Sequence, residues 1–245
     1  YKAGGLPWRL TRDPTEYRSS FLGIAFYESL DGKDIQTSTA QLFDERGTGL
    51  ILRGGAGKLS KEDRQVHLGE DDTYDLLKRA LKAYRDTHKQ FPARLVIHKT
   101  SIFDDAERAG IERALGEVGV DLVDLVAVGR TGIRLYRDGG YPPLRGTYLR
   151  LDDDRLVLYP RGSVDFFRTY PGLYVPSPLL LRRAAGDHDL RTLAAEALAL
   201  TKMNWNNTQF DGGWPITVAA ARKVGEILRF VPEDGAVATG YAYYM

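Results

Sequence analysis

Apolar positions along this chain change their spacing several times, and each change marks an element. Residues 21–27, Phe21-Leu22-Gly23-Ile24-Ala25-Phe26-Tyr27, form an unbroken apolar and aromatic run, the pattern of a buried strand. Residues 37–43 and 49–53 read as two further strands. Tyr74, Leu77, Leu81 and Tyr84 then recur at helical spacing, and the helix closes near Phe91-Pro92, where proline cannot continue it. Residues 94–98 read as a central strand. Asp104 with Glu107 three residues later is a capping-box pattern, opening a helix that reaches about Gly116. Residues 121–128 are the next strand. Three strands, helix, strand, helix, strand is the order an RNase H-like sheet produces, and by pattern alone other α/β folds stay open.

The second half continues the same layering. Residues 146–151 and 155–159 read as a hairpin joined by Asp152-Asp153-Asp154. Successive strand-end carboxylates point apart, so these aspartates are expected to form a solvated turn rather than a metal site. Leu190, Leu193, Ala194, Ala197, Leu198 and Thr201 mark an amphipathic helix, and Pro215 suits the first position of a final one. Residues 204–213 are the most irregular stretch. No repeat or low-complexity linker divides the chain, so residues 1–245 are expected to form one domain.

Composition narrows the function classes. Hydrophobic content of 43% with 27% charged residues is that of an ordinary globular protein. The absence of cysteine excludes disulfides and thiolate metal sites and is consistent with a reducing, cytoplasmic setting. No apolar run approaches the roughly 18 residues of a membrane span, and the opening lacks a signal-peptide layout. A net charge of +1 does not by itself suggest nucleic acid, although a local basic stripe is all that a phosphate-tracking groove needs.

Three segments carry more information than periodicity does. They are Lys2-Ala3-Gly4-Gly5-Leu6-Pro7-Trp8, Pro143-Leu144-Arg145-Gly146-Thr147, and Leu200-Thr201-Lys202-Met203-Asn204-Trp205-Asn206-Asn207-Thr208 followed by Trp214-Pro215-Ile216-Thr217-Val218. In that order they resemble the start, middle and C-terminal part of the PIWI domain of prokaryotic Argonautes. The resemblance implies an RNase H-like mixed sheet flanked by helices. Within it, residues 1–20 would lead in from an upstream MID domain, 21–130 would form the RNase H-like core, and 131–245 the C-terminal PIWI half.

Active members of the family hold two divalent metals with acids on the first strand, after the fourth strand, and on the last long helix. Those positions correspond here to Ala25, Thr100 and Ala220, or Ala221 if the register slips by one. A methyl group cannot bind a metal, and two-metal chemistry needs a cluster of carboxylates. Glu28 lies three residues beyond Ala25 and so on the other strand face, while Asp104 and Asp105 belong to a helix start. The resemblance therefore implies a catalytically inactive, short-type member with no catalytic residues.

Binding residues follow in the same way. His98 at the end of a buried strand reads as a hydrogen-bonded structural residue. The quartet His98-Lys99-Thr100-Ser101 resembles what inactive prokaryotic members carry, which makes Lys99, Thr100 and Ser101 candidate phosphate contacts or the filling of a vacated site. Arg145, Thr201, Lys202, Asn204, Asn206 and Arg222 are further candidates for backbone contact, with Trp205 and Trp214 read as core anchors. The family's C-terminal carboxylate, here Met245, implies a structural Mg²⁺ or Mn²⁺ at a guide's 5′ phosphate. Implied partners are a guide nucleic acid (RNA ahead of DNA), a complementary single-stranded target (DNA ahead of RNA), the MID domain, and an APAZ-containing TIR, Sir2 or nuclease effector in antiviral defence. An active nuclease using other acids, and a structural subunit that touches no nucleic acid, are the competing readings.

Overall fold

The computed structural model describes residues 10, 19–30, 32–43, 49–136, 138, 142–163, 175–203 and 212–232, with the side chains of 38–43, 49 and 50 left aside. Strands β1 (Ser19–Glu28), β2 (Ile35–Phe43), β3 (Gly49–Ile51), β4 (Ala56–Leu59) and β5 (Val66–His67) precede helix α1 (Glu70–His88). Then come β6 (Arg94–Lys99), α2 (Asp105–Gly116) and β7 (Leu122–Arg130). The second half contributes β8 (Tyr148–Arg150), β9 (Arg155–Leu158), β10 (Leu179–Ala185), α3 (Leu190–Leu200) and α4 (Ile216–Leu228). Among the described residues these strands make one sheet in the order β5-β4-β2-β1-β6-β7-β10-β9-β8, with β3 paired to β2. It is mixed: β1 is antiparallel to β2, β1, β6 and β7 are parallel, and β10 returns antiparallel beside β7.

Alternation along the central strands sorts the apolar residues into two layers. Leu22, Ile24, Leu95, Ile97 and Leu125 point to one face and pack beneath α1 and α2 with Leu76, Leu77, Leu81, Ile111 and Leu115. Phe21 and Val96 point to the other and meet Ile216, Ala220, Val224 and Leu228 of α4. Val126, Val128, Leu156, Leu158, Leu179 and Leu181 continue that second layer under α3. Continuous apolar runs in β1, β6 and β7 are thus explained by helices on both sides.

The helix ends follow their local chemistry. Asp104 caps α2, with its side chain accepting from Glu107 N and the Glu107 side chain accepting from Asp104 N, as the capping-box pattern predicts. Asp189 caps α3 through Thr192 N, and Pro215 stands at the N-cap of α4, one place before the first helical residue. At the far end of α4 the Arg53 guanidinium donates to the carbonyls of Leu228, Val231 and Pro232 at 3.2, 2.8 and 2.7 Å. Strands β4, β5 and β10 were not legible in the apolar pattern. The hairpin of β8 and β9 was, and its three aspartates each meet a different arginine: Asp152 with Arg155, Asp153 with Arg150 and Asp154 with Arg183. No described helix is long and apolar enough to cross a membrane.

Candidate nucleic-acid interface

The parallel register of β1 with β6 ends at Ile24 opposite Lys99, and the Thr100 N–H continues it by donating to Ile24 O at 3.1 Å. Ala25 and Thr100 are therefore neighbours on the face that α4 covers, and Ala220 of α4 packs over that face with Phe21 and Val96. Three positions separated by as much as 195 residues thus share one side of the sheet. The approach of α4 is close. A Cβ on Gly23 would lie 2.2 Å from the Thr217 carbonyl oxygen, so only glycine lets the helix cross β1 there. Beside it, fully buried His98 bonds Thr217 Oγ1 through Nδ1 at 2.9 Å, a structural role as its place on the strand suggests. Burial, reinforced by the charge of Arg94, pushes the His98 imidazole down to about 4.

Lys99 points the other way. It is fully buried, and its ammonium donates to Glu107 at 2.5 Å and to the Ile102 carbonyl at 2.7 Å, between the rings of Phe26 and Phe103. The expectation that it meets a phosphate is corrected: strand alternation turns it into the α1 and α2 layer, away from Thr100. Ser101 is also buried and donates to Val66 O at 2.6 Å. Thr201 is buried, donating to Leu198 O and accepting from Arg145 Nη2 at 2.8 Å, so Arg145 and Thr201 close the end of α3 rather than face outward. Thr100 and Lys202 are half-buried, and Arg222 is exposed. Asn204, Asn206, Trp205, Met245 and the segment 2–8 lie outside the described residues.

Could another group hold a metal? Among the described residues His67, Asp104 and Glu107 offer ligand atoms within 4.8 Å of one another. They lie on the α2 side of the sheet, away from Ala25, and the Lys99 ammonium already supplies positive charge to Glu107. His67 Nε2 is in turn 2.9 Å from Asp63. The geometry is that of a hydrogen-bonded ionic cluster that ties the β5 end to the start of α2.

Of the basic cluster around Trp214, the sequence pointed to Arg222 and not to Arg130, Arg134 or Arg161. Arg130 ends β7 two residues beyond Val128, so it shares the α4 face. Its guanidinium lies 5.1 Å from the Trp214 ring centroid, and that of Arg222 lies 5.1 Å from the same ring. A Cβ on Gly213 would meet Arg130 Nη2 at 3.2 Å and Arg161 Cδ at 3.8 Å, which puts Arg161 in the same group. Arg134 stands nearby, hydrogen-bonded to Ser177 Oγ at 2.9 Å. Burial and then the like charges of Arg222, Arg161 and Arg134 hold the Arg130 guanidinium below its usual range. Guanidinium groups gathered at strand ends beside a helix start are suited to anionic oxygens. They come from three separate stretches of chain, so no local pattern shows them as a group.

No family model and no curated protein sequence matches this chain. Solved structures do. Clostridium butyricum Argonaute bound to a guide DNA and a 19-mer target DNA superposes with a TM-score of 0.74 at 17% identity, covering 96% of this chain and 30% of that one. A. aeolicus Argonaute gives 0.68 at 18% identity over 94% and 31%. Marinitoga piezophila Argonaute in complex with a 5′ OH guide RNA gives 0.64 at 14% identity over 95% and 32%. This chain therefore spans about a third of the length of the Argonaute chains it matches. At such identities the likeness speaks for the fold. With a mixed sheet between two helical layers and a shared path over almost the whole chain, the molecule has the PIWI-like, RNase H-like fold of Argonaute proteins.

Proposed function

We propose that this chain is the guide- and target-holding part of an Argonaute-type protein that does not cut nucleic acid. The observation that carries the reading is the group of Arg130, Arg161 and Arg222 at Trp214, on the same sheet face as Ala25 and Thr100. Guanidinium groups on this face suit a sugar-phosphate backbone, and Ala25, Thr100 and Ala220 offer no carboxylate to hold the metals that hydrolysis needs. The similar structures with guide DNA, target DNA or guide RNA bound support the same choice of ligand. Backbone contacts leave sequence selection to base pairing between guide and target. A paired target would then be signalled to an associated TIR, Sir2 or nuclease effector in a cytoplasmic defence response. Lys202 and Arg222 remain candidate contacts, joined by Arg130.

The test uses the full-length protein. Replacing Arg130 or Arg222 by Ala should weaken guide binding by a similar factor for every sequence and reduce the slope of log affinity against log salt by about one unit per lost contact. Unchanged affinity with an unchanged slope in both variants would sink the reading.

A further inference from the structure

We infer that Trp214 is a positioning residue for this basic group: its ring holds the Arg130 and Arg222 guanidinium groups in place before a phosphate arrives. The inference rests on the binding function proposed above. Trp214 was read from sequence as a core anchor, and the structure makes it that and something else. The half-buried Trp214 packs on the apolar layer that includes Val126, Val128, Leu190 and Val218. Its backbone is fixed on both sides. Gly212 N donates to Thr201 O at 2.9 Å, and Pro215 accepts from Ala219 N at 2.9 Å in the first turn of α4. A ring anchored in this way presents a rigid π surface at the rim of the sheet.

Arg130 and Arg222 reach that surface from different elements, one from the end of β7 and the other from the second turn of α4. Left alone, two like charges would drive each other apart, and each arginine would sample many rotamers that a ligand must then suppress. Attraction between a guanidinium and the negative face of an indole offsets both tendencies. Each group lies 5.1 Å from the ring centroid, within the range of that attraction. The ring thereby keeps two cations close together in the absence of an anion, and binding gains because less order has to be imposed when the anion arrives. A purely structural tryptophan would not act on phosphate affinity.

The experiment measures guide affinity and its salt slope for the full-length protein and four variants. Trp214→Leu keeps apolar packing and loses the π face. It should bind guide about tenfold more weakly, from two cation–π contacts, at an unchanged salt slope because both charges remain. Trp214→Phe should recover most of the loss. Trp214→Met fills the same apolar site with an adaptable side chain and no π face, so it should show the same loss at the same slope. Should Trp214→Leu fail to fold, Trp214→Met decides. The pair Arg130→Ala with Arg222→Ala should lose affinity and about two units of slope. If Trp214→Leu or Trp214→Met binds as the native protein does while the Ala pair is impaired, the positioning role is wrong and the binding function stands. If the Ala pair is unaffected in affinity and slope, the binding function itself fails.

Discussion

Two single residues under α4 carry effects large enough to measure. At Gly23 an added methyl would stand 2.2 Å from the Thr217 carbonyl oxygen and 2.4 Å from its carbon, both backbone atoms that cannot rotate away. Gly23→Ala should therefore destabilise the fold by about 1–3 kcal/mol or more, as overpacking of a rigid site does. For a chain of this size that is a fall of about 2–4 °C in Tm for each kcal/mol, and thermal unfolding at the native temperature would contradict the contact. His98 gives a pH effect of definite sign. Its folded value of about 4 lies below the ordinary value near 6.5, so native protein prefers the neutral ring. This contribution is complete above about pH 6.5 and is lost as pH falls towards 4, by about 3 kcal/mol in total. His98→Asn keeps a hydrogen-bonding group near Thr217 and removes the titration. Urea unfolding followed from pH 7 to 4 should fall less steeply in that variant than in the native protein, and parallel curves would rule out the assignment.

At the scale of elements, the join between β6 and α2 depends on the buried ion pair of Lys99 with Glu107. Glu107 also accepts from Leu68 N at 2.8 Å and from Asp104 N at 3.1 Å, so one carboxylate holds a strand end, a helix cap and a lysine. Burial presses the Lys99 ammonium towards its neutral form, and Glu107 opposes that shift. Removing the cation alone, as in Lys99→Met, leaves a buried carboxylate uncompensated and should lower stability by about 3–5 kcal/mol. Adding Glu107→Gln should restore much of that loss, because a neutral amide needs no counter-charge. A double variant as unstable as the sum of both single ones would mean the two groups are not coupled. The capping box of α2 was legible from two residues three apart. Its coupling to Lys99 was not, since that depends on which face of β6 the lysine leaves.

For the molecule as a whole, the proposed absence of cleavage rests on Ala25, Thr100 and Ala220, none of which carries a carboxylate. Guide-loaded full-length protein given a matched target with Mg²⁺ or Mn²⁺ should leave the target intact. Site-specific cleavage that disappears on chelation would overturn this, and the acids responsible would then have to come from elsewhere in the protein. The His67, Asp104 and Glu107 group is poorly placed for the task, being on the other side of the sheet and bonded to Lys99.

Periodicity along the chain was enough to mark β1, β6, β7, all four described helices and the β8–β9 hairpin, because each has apolar spacing or a cap that acts within a few residues. The same local rules could not show β10, whose run from Leu179 ends in Arg182 and Arg183, or the two-residue β5, since pairing with a distant strand decides both. Candidate binding residues divided in the same manner. A lysine, a serine and a threonine chosen for their chemistry proved to be inward hydrogen-bonding groups at Lys99, Ser101 and Thr201. Meanwhile Arg130, Arg161 and Arg222, unremarkable or isolated along the chain, came together at Trp214. Which side chains could carry charge was written in the sequence; which of them face a ligand depended on strand alternation and on where α4 crosses the sheet, and both are properties of the packed structure.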